Sequence, residues 1–254
     1  MKKETVKKRT KIANDMMYYI YTHIETHIDI QELSETLKVS KFHLHRIFKE
    51  VFGQNIYESI KSIRLQKAAS LLLTNKYSTI SDVASECGYS SQSSFIKVFK
   101  DRFGMTPKAW RNSGYKHYAD KILHQSKSAA ASTADFSDLK PSIVKMPAME
   151  SYYIRNKGYN INIRETWQKM QTWIFSNNID NPTQIALFHD NPTIAPLADC
   201  HYVACVVEPK EIQIKSERLP KFHIADGVYA KFDFQGKHGD MLRFIHWVDQ
   251  YWIV

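Results

Sequence analysis

Two helix-like stretches carry hydrogen-bonding side chains of the kind that contact nucleic acid. In the later stretch, which ends at Gly104, the apolar positions are Phe95, Val98, Phe99 and Phe103. Its opposite side offers small polar and basic groups, namely Gln92, Ser93, Ser94, Lys97 and Lys100. A helix with this division is suited to the major groove of DNA, where amide, hydroxyl and ammonium groups reach base edges. The indicated chemistry is hydrogen bonding to DNA.

An earlier stretch, Lys41–Phe52, repeats the arrangement with stronger readers of base sequence. Its outer side carries Phe42, His45 and Arg46. Arg46 can donate paired hydrogen bonds to guanine, His45 can donate or accept, and Phe42 can pack on a thymine methyl group. In the later stretch Gln92 can pair with adenine, but the serines promise little base discrimination. We therefore expect the earlier stretch to read its half-site more strictly.

Caps and turns define the elements that position these side chains. Thr79 with Asp82 three residues later predicts a helix N-cap, and Gly88 can adopt the left-handed conformation of a sharp turn between helices. The whole arrangement occurs twice, at an offset of 50 residues that becomes 51 after one insertion, so that Gly53 matches Gly104. Lys38 stands where Gly88 stands in the other copy, and a left-handed lysine there costs roughly 1 kcal/mol.

The stretch from Ala84 to Arg111 resembles the second helix-turn-helix of AraC/XylS-type transcription regulators. The resemblance rests on Ala84, Gly88, Tyr89, Ser93 or Ser94, Phe95, Phe99, Lys100, Phe103, Gly104, Thr106, Pro107, Trp110 and Arg111. It implies two recognition helices, Lys41–Phe52 and Ser91–Phe103. It also implies that the matching outward positions make the base contacts: Phe42, His45, Arg46, Gln92, Ser93, Ser94 and Lys97.

A long amphipathic helix is predicted between the two copies, from Ile56 to Leu73, with no Gly or Pro. This stretch resembles the linker helix of the same family at Arg64, Leu65, Ala68, Leu71 and Leu72. Two recognition helices read successive major grooves only if they are held about 34 Å apart on one face of the DNA. A rigid linker would let one chain read roughly two helical turns without dimerising.

A further set of side chains is predicted to contact phosphates and so to set the register on DNA. The set comprises Ser40, Lys41, Lys49, Lys100, Lys108 and Arg111. For each lysine, a solvated surface charge is the competing interpretation.

The charge distribution divides the chain. Residues 1–116 carry 20 Lys and Arg against 11 Asp and Glu, whereas the remainder carries 15 of each. A basic first part implies a polyanionic partner, and nucleic acid is the usual one. We predict a DNA-binding domain over 1–116, a flexible linker over 117–137, where small polar residues lack an apolar period, and a second domain over 138–254.

Three cysteines without metal-ligand spacing, and the absence of a signal peptide or apolar span, predict a cytoplasmic protein with no membrane contact.

The second domain contains a repeat of its own. A strand-like run before Gly158 and a helical pattern after it recur at an offset of 78 around Gly236, and two further strands, Gln184–His189 and His201–Val207, follow the first helix. This predicts a βαββ unit used twice. Three short motifs stand in this region: a turn with His189, Asp190 and Pro192, a strand start with Asp199, Cys200 and Tyr202, and a strand with Phe222, Gly227 and Tyr229. By these motifs the region resembles the GyrI-like effector-binding domain, which implies a cleft for a small lipophilic or cationic molecule.

The second repeat is expected to be incomplete, because its paired strands would fall near 262 to 285 and the sequence ends at Val254. The acidic residue that GyrI-like proteins use against cations would lie in that segment, so it is not assigned here. The aromatic residues predicted to line a remaining cleft are Tyr153, Trp167, Phe188, Tyr202, Tyr229 and Trp247. For each of them a core position is the competing interpretation.

The predicted fold is therefore two domains, an all-α double helix-turn-helix followed by an α+β domain of duplicated βαββ units. The predicted function is a sequence-specific, DNA-binding transcription regulator that a small-molecule effector modulates, with RNA polymerase as a candidate partner. No cofactor, metal or catalytic residue is predicted. Two alternatives stay open for the second domain: a protein-interaction module for polymerase, gyrase or a second copy, and a small-molecule hydrolase.

Overall fold

The computed structural model describes residues 2–26, 28–159, 162–209, 214, 219–237 and 239–253. The chain forms two compact units, Met1–Tyr118 and Ala119–Ile253. The first unit is helical, and the second combines helices with antiparallel strands. Among the helices in the described ranges, none is both long and apolar enough to cross a bilayer.

The first unit contains two copies of a short helix followed by a longer one, flanked by α1 and joined by α4. The helices are α1 (Lys2–Thr22), α2 (Ile30–Leu37), α3 (Lys41–Phe52), α4 (Ile56–Thr74), α5 (Ile80–Glu86), α6 (Gln92–Phe103), α7 (Pro107–Ala109) and the first part of α8 (Tyr115–Leu123). Between α7 and α8 the chain continues as a π-helical segment, Trp110–Gly114, that is kinked at Asn112 and Ser113.

The turn chemistry follows the sequence prediction in both copies. Thr79 and Asp82 form a reciprocal capping box at the start of α5. Gly88 has φ +72° in the second turn, and Lys38 has φ +52° in the first, so that a side-chain residue occupies the left-handed conformation there. Gly53 and Gly104 end α3 and α6 with the same left-handed geometry. Each recognition helix is thus bounded by its own cap and glycine.

The core of the first copy fixes α3 against α1. Ala13, Met16 and Ile20 of α1 are fully buried in the same cluster as Leu44 and Phe48 of α3. α1 begins ten residues earlier than its apolar periodicity indicates and ends at Thr22. In its last turn the hydroxyl of Thr22 donates to the carbonyl oxygens of Tyr18 and Tyr19.

The second copy is anchored on α4 by a buried aromatic group. Phe95, Phe99 and Phe103 of α6 are buried, and the ring of Trp110 meets that of Phe99 edge-on at a centroid distance of 5.7 Å. The indole Nε1 of Trp110 donates to the carbonyl oxygen of Ala69 in α4 at 3.0 Å. The helix that joins the copies is therefore also the surface on which the second copy packs.

One side chain of α4 ties the two copies together. Arg64 donates to the carbonyl oxygens of Ile24 (3.2 Å), Thr26 (2.7 Å) and Gly88 (3.0 Å). Ile24 and Thr26 belong to the turn that precedes α2, and Gly88 is the turn between α5 and α6. The resemblance to the family marks Arg64 by sequence, and the structure gives it this bridging role.

The second unit contains a four-stranded antiparallel sheet in the order β3-β4-β2-β5 and a two-stranded sheet of β1 and β6. Its elements are α9 (Lys127–Ala130), β1 (Ser142–Met146), β2 (Met149–Lys157), α10 (Asn162–Ser176), β3 (Gln184–Phe188), β4 (His201–Val207), β5 (Lys221–Ile224), β6 (Gly227–Lys231) and α11 (Asp240–Trp247), which continues as a π-helical segment, Val248–Trp252. The run β2-α10-β3-β4 is the predicted βαββ unit, and β6-α11 begins the second.

Strand parity assigns the side chains of the four-stranded sheet to two faces. Tyr152 is paired with Val206 and Ile154 with Ala204, and these residues share the cluster that packs under α10. Tyr153 is paired with Cys205 and lies on the opposite face with Val203. Successive strand residues point to opposite faces, so neighbouring tyrosines in β2 serve separate cores.

Residues 117–137 differ from the predicted flexible linker, and that prediction is corrected. α8 continues to Leu123, with Ala119 and Ile122 buried, and α9 follows, capped by the Ser126 side chain. Phe136 is buried against the rings of Phe234 and Phe244. Ala119, Ile122 and Leu123 have helical spacing, and alanine is the strongest helix former, which accounts for an ordered segment here.

Candidate nucleic-acid interface

The outer face of α3 presents the predicted base readers to solvent. Phe42 is 78% exposed and Arg46 is exposed, whereas Leu44 and Ile47 on the other side are buried in the core. Ser40 caps the helix by accepting from the backbone N–H of His43 at 3.4 Å. An exposed phenylalanine at the start of a recognition helix has no core role, which favours a contact with an apolar base edge.

His45 lies beside an aromatic residue that the sequence analysis did not assign. Its ring is 5.6 Å from the ring of Tyr57, which sits in the first turn of α4 and is 62% exposed. Its position just after the turn at Gly53, beside the helix that carries predicted base contacts, could have marked Tyr57 as part of this surface. Tyr57 extends the candidate surface from α3 onto α4.

Arg46 belongs to a chain of charges at the second half of α3. Its Nε lies 3.9 Å from Glu50 Oε1, one helical turn away, and Arg9 of α1 donates to Glu50 Oε2 at 3.0 Å. Arg46 is a predicted base reader, whereas Glu50 and Arg9 carry no role predicted from sequence. The pairing of residues 41 positions apart becomes visible only when α1 is packed on α3.

The outer face of α6 carries the predicted polar set. Ser91 caps the helix, and its Oγ accepts from the N–H of Ser94 at 3.1 Å. Every predicted base reader of this helix is exposed: Gln92, Ser93, Ser94 and Lys97. Phe95 and Phe99 face inward with ring centroids 5.5 Å apart. The division into an inner aromatic side and an outer polar side agrees with the prediction.

Four of the predicted phosphate contacts are exposed basic side chains: Lys41, Lys49, Lys100 and Lys108. Arg111 is half-buried and has a partner on the main chain. Its Nε donates to the carbonyl oxygen of Leu72 at 3.1 Å, where α4 nears its end. The guanidinium satisfies a carbonyl that the helix leaves open and complements the helix dipole, and its phosphate contact stays a prediction.

The turn of the second copy is electrically neutral. Burial raises the pKa of the Cys87 thiol to about 12, and burial likewise raises the pKa of Tyr89 to about 12. A thiol with such a pKa is not a nucleophile at neutral pH. Cys87 therefore packs as a small hydrophobic side chain, as predicted, and the positive charge of this copy lies on its outer face.

The six aromatic residues predicted to line one cleft lie in separate places, and this prediction is corrected. Trp167, Phe188 and Tyr202 are on the α10 face of the sheet, and Tyr153 is on the opposite face. Tyr229 is in β6, where its hydroxyl donates to the carbonyl oxygen of Ala225. Trp247 is in α11, where it packs with Phe136, Phe232 and Phe244.

Three of the six do form a group. Trp167 Nε1 donates to the hydroxyl of Tyr202 at 2.7 Å, and the ring of Phe188 lies 5.4 Å from that of Tyr202. Tyr159 joins them at 5.5 Å from Phe188, and burial raises its pKa to about 12. The group is part-buried and its indole N–H and hydroxyls stay neutral, so it offers flat aromatic faces with few polar atoms.

The turn after β3 is held by a buried pair. Asp190 Oδ2 accepts from the backbone N–H of His201 and contacts His201 Nδ1, both at 2.7 Å. Burial lowers the pKa of the neighbouring His189 to about 3, with Arg155 adding to the effect, so that His189 is neutral at pH 7. The pair closes the long connection between β3 and β4. In the described parts of the chain, no group of three or more potential metal ligands occurs.

Comparison with known families agrees with this division. The family described as "Helix-turn-helix domain" matches residues 33–113, and the family described as "GyrI-like small molecule binding domain" matches residues 139–254.

Two of the three similar proteins reported below are transcription regulators by their names, and the third is named for binding an origin. The chain is 34% identical over 96 residues to the xylose operon regulatory protein of Escherichia coli (strain K12), which is 38% of this chain and 24% of that protein. It is 34% identical over 105 residues to the probable transcription factor PqrA of Proteus vulgaris, 41% of this chain and 85% of that protein. It is 33% identical over 103 residues to the right origin-binding protein of Escherichia coli (strain K12), 40% of this chain and 35% of that protein. The chain thus spans about a quarter of the first of these proteins and most of the second.

Proposed function

Since the chain belongs to the AraC/XylS-type transcription regulators with a GyrI-like domain, we propose that it regulates transcription by binding a specific double-stranded DNA site. The observation that carries the proposal is the pair of exposed polar faces, on α3 and on α6, that α4 holds within one compact unit. A regulator of this kind acts where the chromosome is, which places it in the cytoplasm of a bacterial cell.

The attachment of both copies to α4 supports the reading of two grooves by one chain. Arg64 binds the turns on either side of it, and Trp110 anchors the second copy to Ala69. A site of two half-sites one helical turn, about 34 Å, apart requires that the spacing of the recognition helices be fixed. No second copy of the chain is needed to supply the second helix.

The two faces divide the reading of sequence between them. Arg46 gives paired hydrogen bonds to guanine and Phe42 packs on a thymine methyl group, and such contacts discriminate strongly among bases. The hydroxyls of Ser93 and Ser94 accept and donate alike, so they tolerate several bases. The exposed lysines of both copies contribute phosphate contacts, which give affinity without sequence preference.

The GyrI-like domain binds a small-molecule effector in this proposal. The aromatic group of Tyr159, Trp167, Phe188 and Tyr202 supports a flat lipophilic or cationic ligand, because aromatic faces attract both apolar surface and positive charge. Effector binding would change the affinity for DNA by a coupling between the two sites.

Selection of DNA by the full chain from a randomised pool, followed by hydroxyl-radical footprinting, tests the DNA-binding part. We expect two protected patches on one face of the duplex, about one helical turn apart, with the stricter consensus in the patch bound by α3. A single patch, or equal protection of all sequences, would contradict the proposal.

Thermal unfolding of the full chain with lipophilic cations and aromatic metabolites tests the effector part. A ligand raises the melting temperature of a protein that it binds in the native state. We expect the shift to be lost in Trp167→Ala and kept in Phe175→Ala, which removes an exposed aromatic residue from the same helix. Equal shifts in both variants would place the ligand elsewhere.

A further inference from the structure

The first half of α1 is the most basic segment of the chain, and neither the proposed DNA contacts nor the proposed effector site uses it. Residues 2–11 contain six Lys and Arg and one acidic residue. A helix needs no such charge to pack, and the apolar positions that bury α1 begin only at Ile12.

Arg9 is the residue that brings this charge to α3. It lies one turn before Ala13 and two turns before Met16, both of which are fully buried in the cluster with α3. Its guanidinium Nη1 therefore reaches α3 and donates to Glu50 Oε2 at 3.0 Å. The two side chains are 36% and 44% exposed, so the pair lies at the surface.

Glu50 lies between two cations. Its other oxygen is 3.9 Å from Nε of Arg46, the predicted reader of guanine, and Lys49 next to it is exposed. An unpaired carboxylate in this position would repel the phosphates that border the groove, because both groups are negatively charged. Arg9 offsets that charge and holds its remaining N–H groups at the rim of the α3 surface.

We propose that Arg9 of α1 binds the phosphate backbone that borders the first major groove, with Glu50 as the residue that positions it. α1 is then a further DNA-contacting element, in addition to the predicted contacts on α3, α6 and α7. The inference rests on the proposed DNA-binding function, and it extends the contact surface to an element outside both helix-turn-helix copies. A guanidinium suits this role because it can donate to a carboxylate and to a phosphate from separate edges.

The competing explanation is that Arg9 only neutralises Glu50 or clips α1 to α3. Three variants separate these roles: Arg9→Gln, Glu50→Gln, and the double variant Arg9→Gln/Glu50→Gln. The double variant removes both partners of an exposed pair, so it leaves no uncompensated charge and is expected to fold. Lys11→Gln is the matched control, because it removes the same charge from the same helix at a position about 200° away around the axis, where Lys11 is 71% exposed and paired with Asp15.

The measurement is the affinity of the full chain for its selected site as a function of salt. A lost phosphate contact reduces the slope of log affinity against log salt by about 0.9. We expect Arg9→Gln to show this reduction, and the double variant to show it relative to Glu50→Gln. The ratio of wild-type affinity to Arg9→Gln affinity should therefore fall by about 3.5-fold between 50 and 200 mM salt. Lys11→Gln should keep the wild-type slope.

Two results would overturn the proposal. Recovery of the wild-type slope and affinity in the double variant would mean that Arg9 acts only by neutralising Glu50. An equal loss of slope in Lys11→Gln would mean that net charge alone matters. The wild-type titration separates these from a failure of the proposed function, since a wild type with no preferred site would refute sequence-specific binding itself.

Discussion

The two helix-turn-helix copies share a fold and differ in what holds each turn. In the first copy, the turn residue Lys38 carries a side chain at φ +52°, and α1 braces the recognition helix. In the second, Gly88 has φ +72° and the guanidinium of Arg64 packs directly on it. The first copy is therefore braced by α1 in addition to α4, whereas the second is anchored on α4. A duplicated motif can keep its backbone while each copy finds its own support.

The outer faces differ in the same way. α3 presents an arginine, a histidine and an exposed phenylalanine, whereas α6 presents a glutamine, two serines and a lysine. In the proposed function, the side chains of α3 distinguish base pairs, and most of those of α6 tolerate several. The comparison implies that the first copy sets sequence preference and the second adds affinity and register.

The largest expected effect concerns the two turns. In Gly88→Ala, the new Cβ would lie 2.7 Å from Cζ of Arg64 at a backbone angle that alanine rarely adopts. We expect a loss of about 2–4 kcal/mol in the free energy of unfolding, from backbone strain and from the disturbed Arg64 hydrogen bonds. Urea unfolding followed by helical circular dichroism measures it.

The matched variant Lys38→Gly should have the opposite sign. It relieves the left-handed lysine and should stabilise the unit by up to about 1 kcal/mol. If both variants change stability equally, the two turns are supported alike and the comparison fails.

The next effect concerns base reading by the first copy. Arg46→Ala should cost about 1–3 kcal/mol of binding free energy on the selected site and relax the base preference at one position. Fluorescence anisotropy with the selected site and its single-base variants measures both. Equal weakening on all sequences would assign Arg46 to phosphate instead.

A smaller effect is expected for the serines of the second copy. The double variant Ser93→Ala/Ser94→Ala should cost about 1 kcal/mol or less, because each hydroxyl contributes a single neutral hydrogen bond. The consensus selected from a random pool should stay the same. A changed consensus in the second half-site would show that the serines do read bases.

The smallest effect is that of one phosphate contact. Lys100→Ala should weaken binding to all sequences alike and reduce the salt slope by about one unit. Titration on the selected site and on an unrelated duplex at several salt concentrations measures it. An unchanged slope would remove Lys100 from the contact surface.

The helix-turn-helix half could be predicted closely because its signals are local. α3 runs from Lys41 to Phe52 as predicted, since Ser40 caps one end and Gly53 the other within the same stretch. The contact of Arg111 with the main chain could not be predicted in this way. The side chain donates to the carbonyl of Leu72, 39 residues away, and no local pattern indicates that contact.

The aromatic residues of the second unit show the same limit. The sequence identifies Tyr153 and Tyr202 as aromatic strand residues, but the register of β2 on β4 decides which face each occupies. A shift of one residue would reverse both faces. The packed segment over 117–137 was missed because small residues give a weak apolar period even where alanine favours a helix.

Arg64 fixes the relative position of the two recognition helices. Because its three hydrogen bonds join the turn before α2 to the turn before α6, the phase between the two recognition helices is set inside the protein. Each base pair inserted between the half-sites rotates the second by roughly a tenth of a turn out of that phase. In the proposed mode of binding, target sites can therefore differ in the bases of the second half-site but not in the number of base pairs that separates it from the first.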